Sequence, residues 1–420
     1  MSSALAPLVL IAQSPIPRAA EFRMRPTLQP LTLDVAIVMA ERNSPRIKQS
    51  QALVQQYEAG IQTARAYSNP SLEIYEGHQY ARPISTPAVP GLLQHYAGYQ
   101  PIEIPSERRA RLHGAQQLAA SARFAEQGTA LAVTARVSHA FYDALRRREE
   151  IQQARENLVL VEDLRRRVEV EVNVGEKGRL ELTRAEAELA RAHFDVRSAE
   201  LEYATAIAAL RVAIAAPPDA LLDPEGALEA RIDLPPAGQL RADVLRTHPA
   251  VAQSQAEIDA AKSSLERERA ARIPQPTVFA EFENQPDLRY WRAGVTVPLP
   301  LFDRRRGQIE AAKAAVTRAD AGLDQSRLEL LGALERAAEQ YQLADQQVAA
   351  LESGSLHAAQ SAVEAAKAAY RFGERGIVEV LDAQRVLQSV RGDLVDAQFA
   401  RQSALVDLEE LGALPPKARP

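Results

Sequence analysis

The stretch "YWRAGVTVPLPLFDRRRGQIEAAKAAV", Tyr290 to Val316, changes its periodicity half-way along. In its first part Trp291, Ala293, Val295, Val297 and Leu299 alternate with Arg292, Gly294 and Thr296. A period of two marks a strand with two unlike faces. Pro298 and Pro300 cannot donate ladder hydrogen bonds, so they end it. Asp303 is placed to cap a helix that begins at Arg304. Further on, Leu323, Leu330, Ala337, Ala344 and Leu351 recur every seven residues, and Leu334, Tyr341 and Val348 each follow one of them by four. That is the a/d seam of a coiled coil. Three arginines, Arg304, Arg305 and Arg306, stand at the joint, where the helix dipole disfavours cations.

The same plan occurs twice. "VGEKGRLELTRAEAELA" (Val174 to Ala190) lies over "FGERGIVEVLDAQRVLQ" (Phe372 to Gln388) at an offset of 198 residues. Upstream, "IPSERRARL" from Ile104 lies over "PLFDRRRGQI" at an offset of 196, and "ERNSPRI" at Glu41 over "LRTHPAV" at Leu245. Three matches in one order describe a tandem duplication. The expected division is an N-terminal extension or atypical signal segment over 1–30, a first repeat over 31–216, a Pro-rich linker over 217–237, a second repeat over 238–414 and a tail over 415–420. Each repeat reads as helix, hairpin, long helix, helix, the first helices spanning 31–66 and 238–272. The first long helix has a rougher seam, Ile151, Ala154, Leu158, Val161, Val168 and Val172, broken by Arg165. A helix of about 65 residues is on the order of 100 Å long, so the molecule is elongated.

Four strands are expected. "TVFAEFEN" alternates Val278, Ala280 and Phe282 against Thr277, Glu281 and Glu283, and "QPDL" joins it as a hairpin to the strand at Trp291. "SLEIYEGHQY" and "QHYAGYQPIEI" are the first-half counterparts, joined by a Pro-rich loop. Such two-faced strands with aromatics near their ends suit a transmembrane β-barrel, and equally an antiparallel sheet packed on helices. Four strands cannot close around a lumen, so a barrel would have to be shared between chains.

Composition excludes several classes. Of 420 residues, 46% are hydrophobic and 25% charged, which is a folded composition. A net charge of -5 gives no ground for a nucleic-acid partner. The absence of cysteine excludes disulfides, thiolate metal sites and cysteine nucleophiles. No run of apolar residues is long enough for a transmembrane helix. Leu5 to Ala12 would suit a signal-peptide core, but no Lys or Arg precedes it. The seven histidines are scattered, and no phosphate loop or nucleophile elbow is present, so neither an enzyme nor a cofactor is expected. No dedicated metal site is expected either. His78 and His95 fall in strands, where a lumenal metal contact or polar filler would both fit.

With "VPLPLFDRRRGQIEAAKAAV" opening the second long helix and "YRFGERGIVEVLDAQR" at its far turn, the duplicated chain resembles the TolC family of outer-membrane efflux proteins from about Leu31 to Leu414. "AERNSPRI" and "ARAYSNPSLEIY" are similar to its heavy-metal (CzcC/CusC-like) branch. The resemblance implies a mostly α protein with a transmembrane β portion: a homotrimer sharing a 12-stranded barrel, continued by a periplasmic α-helical tunnel. It implies an outer-membrane exit duct that meets a periplasmic adaptor and an inner-membrane pump of the RND type, with heavy-metal cations as cargo. An organic-toxicant duct of the same family is the alternative. From another class, a soluble coiled-coil scaffold is the rival, though a scaffold has no use for strands interrupting both halves at one point.

The resemblance also places functional residues. Gly175, Gly178, Gly373 and Gly376 fall at the tip turns that touch the adaptor, where a tight reversal needs positive φ or close approach; each could equally be a plain helix terminator. Glu181, Glu379 and Asp382, with Arg375 beside them, would line the pore constriction, the carboxylates as stacked acidic rings; a solvated charged face is the other reading. Arg108, Arg109, Arg304, Arg305 and Arg306 would mark the joint between barrel and periplasm, against anionic lipid headgroups.

Overall fold

A computed structural model describes residues 29–80, 91–228 and 231–414; the expected extension, most of it, the Pro-rich strand loop and the tail lie outside the described residues. The elements of the first half are β1 (Gln29–Leu31), α1 (Leu33–Asn43), α2 (Pro45–Arg65), β2 (Ser71–Gln79), β3 (Gly91–Pro101), α3 (Pro105–Asn173), α4 (Arg179–Ala213) and β4 (Leu222–Pro224). Those of the second are α5 (Ala237–Thr247), α6 (Pro249–Ala270), β5 (Thr277–Asn284), β6 (Arg289–Thr296), α7 (Arg306–Ala350), α8 (Leu356–Arg371) and α9 (Ile377–Glu410).

Where one opening helix was expected in each half, there are two. Pro45 and Pro249 each stand first in a new helix, and Ser44 and His248 before them are extended, with ψ of 122° and 129°. A proline disfavours helical backbone in the residue preceding it, so the helix must restart. At the second break the His248 side chain accepts a hydrogen bond from the Ala250 N–H at 3.2 Å, which requires a neutral ring nitrogen, and burial lowers the pKa of this imidazole. The unfolded chain therefore takes up the proton first as pH falls below about 6.5. Stability is complete above that pH, declines below it, and levels off once the folded imidazole is protonated too. His248→Asn keeps a capping acceptor, so its melting temperature should fall less than that of the natural protein between neutral pH and pH ~5.

The four long strands form one antiparallel sheet in the order β2-β3-β5-β6, which joins the two halves through β3 and β5. β3 starts at Gly91, earlier than its alternation suggests, because Gly91 still pairs with Gln79. The register sets Ile74 beside Tyr96, Tyr96 beside Phe282 and Phe282 beside Trp291. Leu72, Val278 and Val295 share that apolar face, by the period of two. The other face carries Glu73, Tyr75, His95, Glu281, Glu283 and Arg292. The outer strands β2 and β6 pair with no other described strand along their free edges.

The heptad seam of α7 is buried: Leu323, Leu330, Leu334, Ala337, Tyr341, Ala344 and Val348 all face inward. The helix then passes through a π-helical turn, Leu351–Ser355, before α8. The inward series Leu334, Tyr341 and Val348 continues as Leu356, Val363 and Tyr370, so eight residues instead of seven separate Val348 from Leu356. One inserted residue is what a π-bulge accommodates without turning the seam outward. α3 runs unbroken for 69 residues, on the order of 100 Å.

Two apolar cores hold the helices together. One gathers Phe141, Val137, Leu210 and Ile214 around Leu31 and α1; the other gathers Leu240, Val244, Leu334, Leu405 and Leu408. Polar ties cross between them. His139 of α3 reaches Asp407 at 2.9 Å and Ser403 at 3.0 Å on α9. Tyr341 clamps the backbone between the halves, donating to the Ile232 carbonyl at 2.6 Å and accepting from its N–H at 2.8 Å.

Candidate functional site

At one end of the helices α3 turns into α4 and α8 into α9. Both turns use the same device. Gly175 and Gly373 adopt φ of 86° and 74°, a region other L-residues seldom enter. The N–H of Glu176 then bonds the Glu171 carbonyl at 2.9 Å, and that of Glu374 the Ala369 carbonyl at 3.0 Å. These are Schellman closures, which satisfy carbonyls the helix end leaves free. Gly178 and Gly376 differ: their backbone is extended, and each is the N-cap of the helix that follows. Only the first glycine of each pair therefore needs its conformational freedom.

Behind the turns Val168, Ala185, Ile377 and Leu381 form a small buried core, with Tyr370 packed against it. The Tyr370 hydroxyl donates to the Glu171 carboxylate at 2.5 Å, joining α8 to the end of α3. Burial, and next the carboxylate, push the Tyr370 phenol far up, so it stays a donor. A second link joins α9 to α4: Arg385 donates to Glu188 through Nε at 3.4 Å and Nη2 at 2.7 Å.

The four charged residues expected at a constriction all lie near this end. Arg375 faces Glu379, one turn along the chain, at 3.8 Å and bridges no other helix among the described residues. Asp382 accepts from Arg385 at 2.9 Å. Glu181 is half-buried and lies 3.8 Å from Arg184. Glu379 and Asp382 are exposed.

The arginines at the opposite joint have internal partners. Arg108 donates to the Arg65 carbonyl at 2.8 Å and covers the Tyr67 ring, and Arg111 donates to the Ala64 and Ala66 carbonyls at 3.1 and 3.0 Å. These are the orphan carbonyls at the end of α2, where cations are favoured. The misfit of arginines at one helix start is thus resolved by the end of its neighbour. In the second half Arg305 reaches Glu268 of α6 at 2.5 Å and holds that carboxyl below its usual range. The expected cap is corrected: α7 starts at Arg306, two residues later than expected. Asp303 instead accepts from the Arg305 N–H at 2.7 Å, closing a turn in which Arg305 has φ of 56°. Arg109 reaches the Pro105 carbonyl of its own helix, at 3.3 Å, while Arg304 and Arg306 are exposed.

A sheet with one apolar face, two free edges and paired glycine turns at the far end of very long helices is accompanied by a family match. The profile described as outer membrane efflux protein matches residues 36–216 and 240–413. The chain belongs to the outer membrane efflux protein family. This is a family of channels, not of enzymes. The efflux protein is 26% identical over 368 residues to the cobalt-zinc-cadmium resistance protein CzcC of Cupriavidus metallidurans, covering 86% of this chain and 85% of that one. CusC, which forms a transmembrane channel, superposes with a TM-score of 0.79 at 18% identity, over 97% of this chain and 99% of its own. A membrane protein from Pseudomonas aeruginosa gives 0.80 at 20% identity, over 90% and 92%. The TolC-like fold expected from the sequence is the fold observed: a four-stranded contribution to a barrel above long tunnel helices.

Tyr370, Glu171, Arg385 and Glu188 were missed by sequence reasoning. Each looks like an ordinary residue of a charged helix face, and its partner lies about 200 positions away. The likeness of the two glycine turns held the signal, since residues behind both turns share one small core.

Proposed function

We propose that three copies of this chain form the exit duct of a tripartite efflux system in the outer membrane. The observation that carries the reading is the sheet. Its edges on β2 and β6 pair with no other described strand, and its apolar face leaves Leu72, Ile74, Trp291 and Val295 exposed. Unpaired edges and an open apolar face are costly in water, and closure into a shared barrel of twelve strands removes both. The acidic face then lines the lumen, and the helices continue it into the periplasm. The two repeats, 31–216 and 238–414, each supply one hairpin and one helical turn, with 217–237 as the linker. Arg304 and Arg306 face anionic headgroups where the barrel ends.

The tip turns meet a periplasmic adaptor, and an inner-membrane RND-type pump supplies the energy. Heavy-metal cations are the cargo. Two observations support that: the named function of CzcC, and lumenal acidity at both the sheet and the tip. Fractionation tests the duct: the protein should appear in the outer membrane as a detergent-extracted trimer, and a soluble monomer would overturn the reading. A deletion strain tests the cargo, and should lose tolerance to metals rather than to organic toxicants.

Glu379 and Asp382 lie three residues apart, so three chains place them as two acidic rings at the constriction. Glu379→Ala with Asp382→Ala should lower cation selectivity in planar bilayers, and an unchanged reversal potential would remove these residues from the pore lining.

A further inference from the structure

We infer that the lumenal face of the sheet carries a binding site for a borderline divalent cation, formed by His95, Glu281 and Glu283. The inference rests on the duct reading, because it takes this face as water-filled. His95 on β3 and Glu283 on β5 are directly opposite each other, and Glu281 pairs with Ala97, next along the same face. One donor atom from each of the three residues lies within 4.8 Å of the others. Donors bound tetrahedrally to one ion at about 2.1 Å stand ~3.4 Å apart, so closing the site takes a shift of up to ~1.4 Å.

The imidazole gives this cluster its meaning. His95 is only 7% exposed, yet neither ring nitrogen makes a hydrogen bond to any described residue. Its Nδ1 stands 4.0 Å from Glu283, too far for one, and the ring is held flat against Tyr75 at 4.3 Å between centroids. The ring is covered but its nitrogens are not engaged by the described residues, so one of them is available to an ion reaching this face. Stacking fixes the ring plane as second contacts commonly do for ligating histidines. Glu283 is held by Gln285 at 2.7 Å and by the Tyr290 hydroxyl.

Glu281, 6% exposed, is paired with the Nε of Arg292. The Arg292 side chain is itself 62% exposed, so it can swing into the lumen when an ion arrives. Arg292 thus competes with the ion and keeps the carboxylates neutralised without it. One nitrogen and two carboxylate donors suit Zn²⁺ or Co²⁺. Soft monovalent ions would want thiolate or thioether ligands, and Mg²⁺ or Ca²⁺ would want oxygen alone. The sequence marks His95 as a possible lumenal contact but not its carboxylate partners, which come from the other half of the chain, nearly 190 residues away.

The test uses the full-length protein in detergent, with CoCl2 followed by visible absorption and ZnCl2 by calorimetry. The natural protein should bind about one ion per chain, with cobalt bands of nitrogen and oxygen ligation. His95→Gln should weaken binding roughly tenfold or more with melting unchanged. Arg292→Gln should tighten binding. If His95→Gln does not fold, Glu283→Gln, nearly equal in size, is held to the same standard. A natural protein without a saturable cobalt band, or a His95→Gln protein that binds like it, overturns the site. Metal binding in a protein whose deletion leaves metal tolerance intact supports the site and overturns the cargo reading instead. A metal-sensitive deletion strain whose protein binds no ion overturns the site alone.

Discussion

Arginine in place of Ile74 should keep the protein out of the outer membrane, whereas arginine in place of Tyr75, one residue on, should not. In a single chain the two side chains are indistinguishable by exposure, 56% and 55%. They differ only in face. Ile74 lies in a row with Tyr96, Phe282 and Trp291, and Tyr75 in a row with His95, Glu283 and Tyr290. In a barrel the first row meets lipid and the second meets water. A cation facing the middle of a bilayer costs about 2–4 kcal/mol per chain, and a trimer incurs it three times. A cation facing the lumen costs little. Outer-membrane fractionation and trimer detection on mild gels would read the difference. Equal insertion of the two variants would mean that the sheet has no lipid face.

Tyr370→Phe combined with Glu188→Gln should open the far end of the tunnel. These changes remove the two links described beside the turns while leaving the apolar core at Val168, Ala185, Ile377 and Leu381, and the His139 tie farther along α3, in place. The Tyr370 hydrogen bond ends on a carboxylate in a half-buried setting, where such bonds contribute about 1.5–3 kcal/mol. Arg385 is more than half exposed, so its link to Glu188 is screened and contributes roughly 0.2–1 kcal/mol. Together they shift an open-to-closed ratio by roughly a hundredfold, at about 1.4 kcal/mol for each factor of ten. The expected result is a higher mean conductance in planar bilayers, most of it already present in Tyr370→Phe alone. Because the Tyr370 phenol is pushed up, the link should not titrate through this residue below pH ~10. Unchanged conductance in the double variant would show that these links do not hold the end closed.

Much of this was legible in the chain. The heptads of α7, the hairpin around "QPDL" and the glycine turns are local patterns, and local patterns follow from backbone sterics and side-chain periodicity. Where local reading failed, it failed at junctions. The proline breaks at Pro45 and Pro249 were visible as motifs but not read as restarts, and Asp303 closed a turn instead of capping a helix. The π-bulge was present as one residue too many between Val348 and Leu356, and a strict count of sevens would have found it.

Charge was where sequence was weakest. A run such as Arg304 to Arg306 shows that cations are present and nothing of what they face. The end of α2 gives Arg108 its carbonyls, and Glu268 gives Arg305 its carboxylate, across distances that no local pattern spans. Sequence by itself determined the strands, the long helices and the family, because repeating apolar patterns specify which face of an element is buried. Only the tertiary structure decided which polar groups meet: Tyr370 with Glu171, Arg385 with Glu188, Arg305 with Glu268. Polar partners act through space at a few ångströms, and the fold alone brings positions tens to some 200 residues apart within that range.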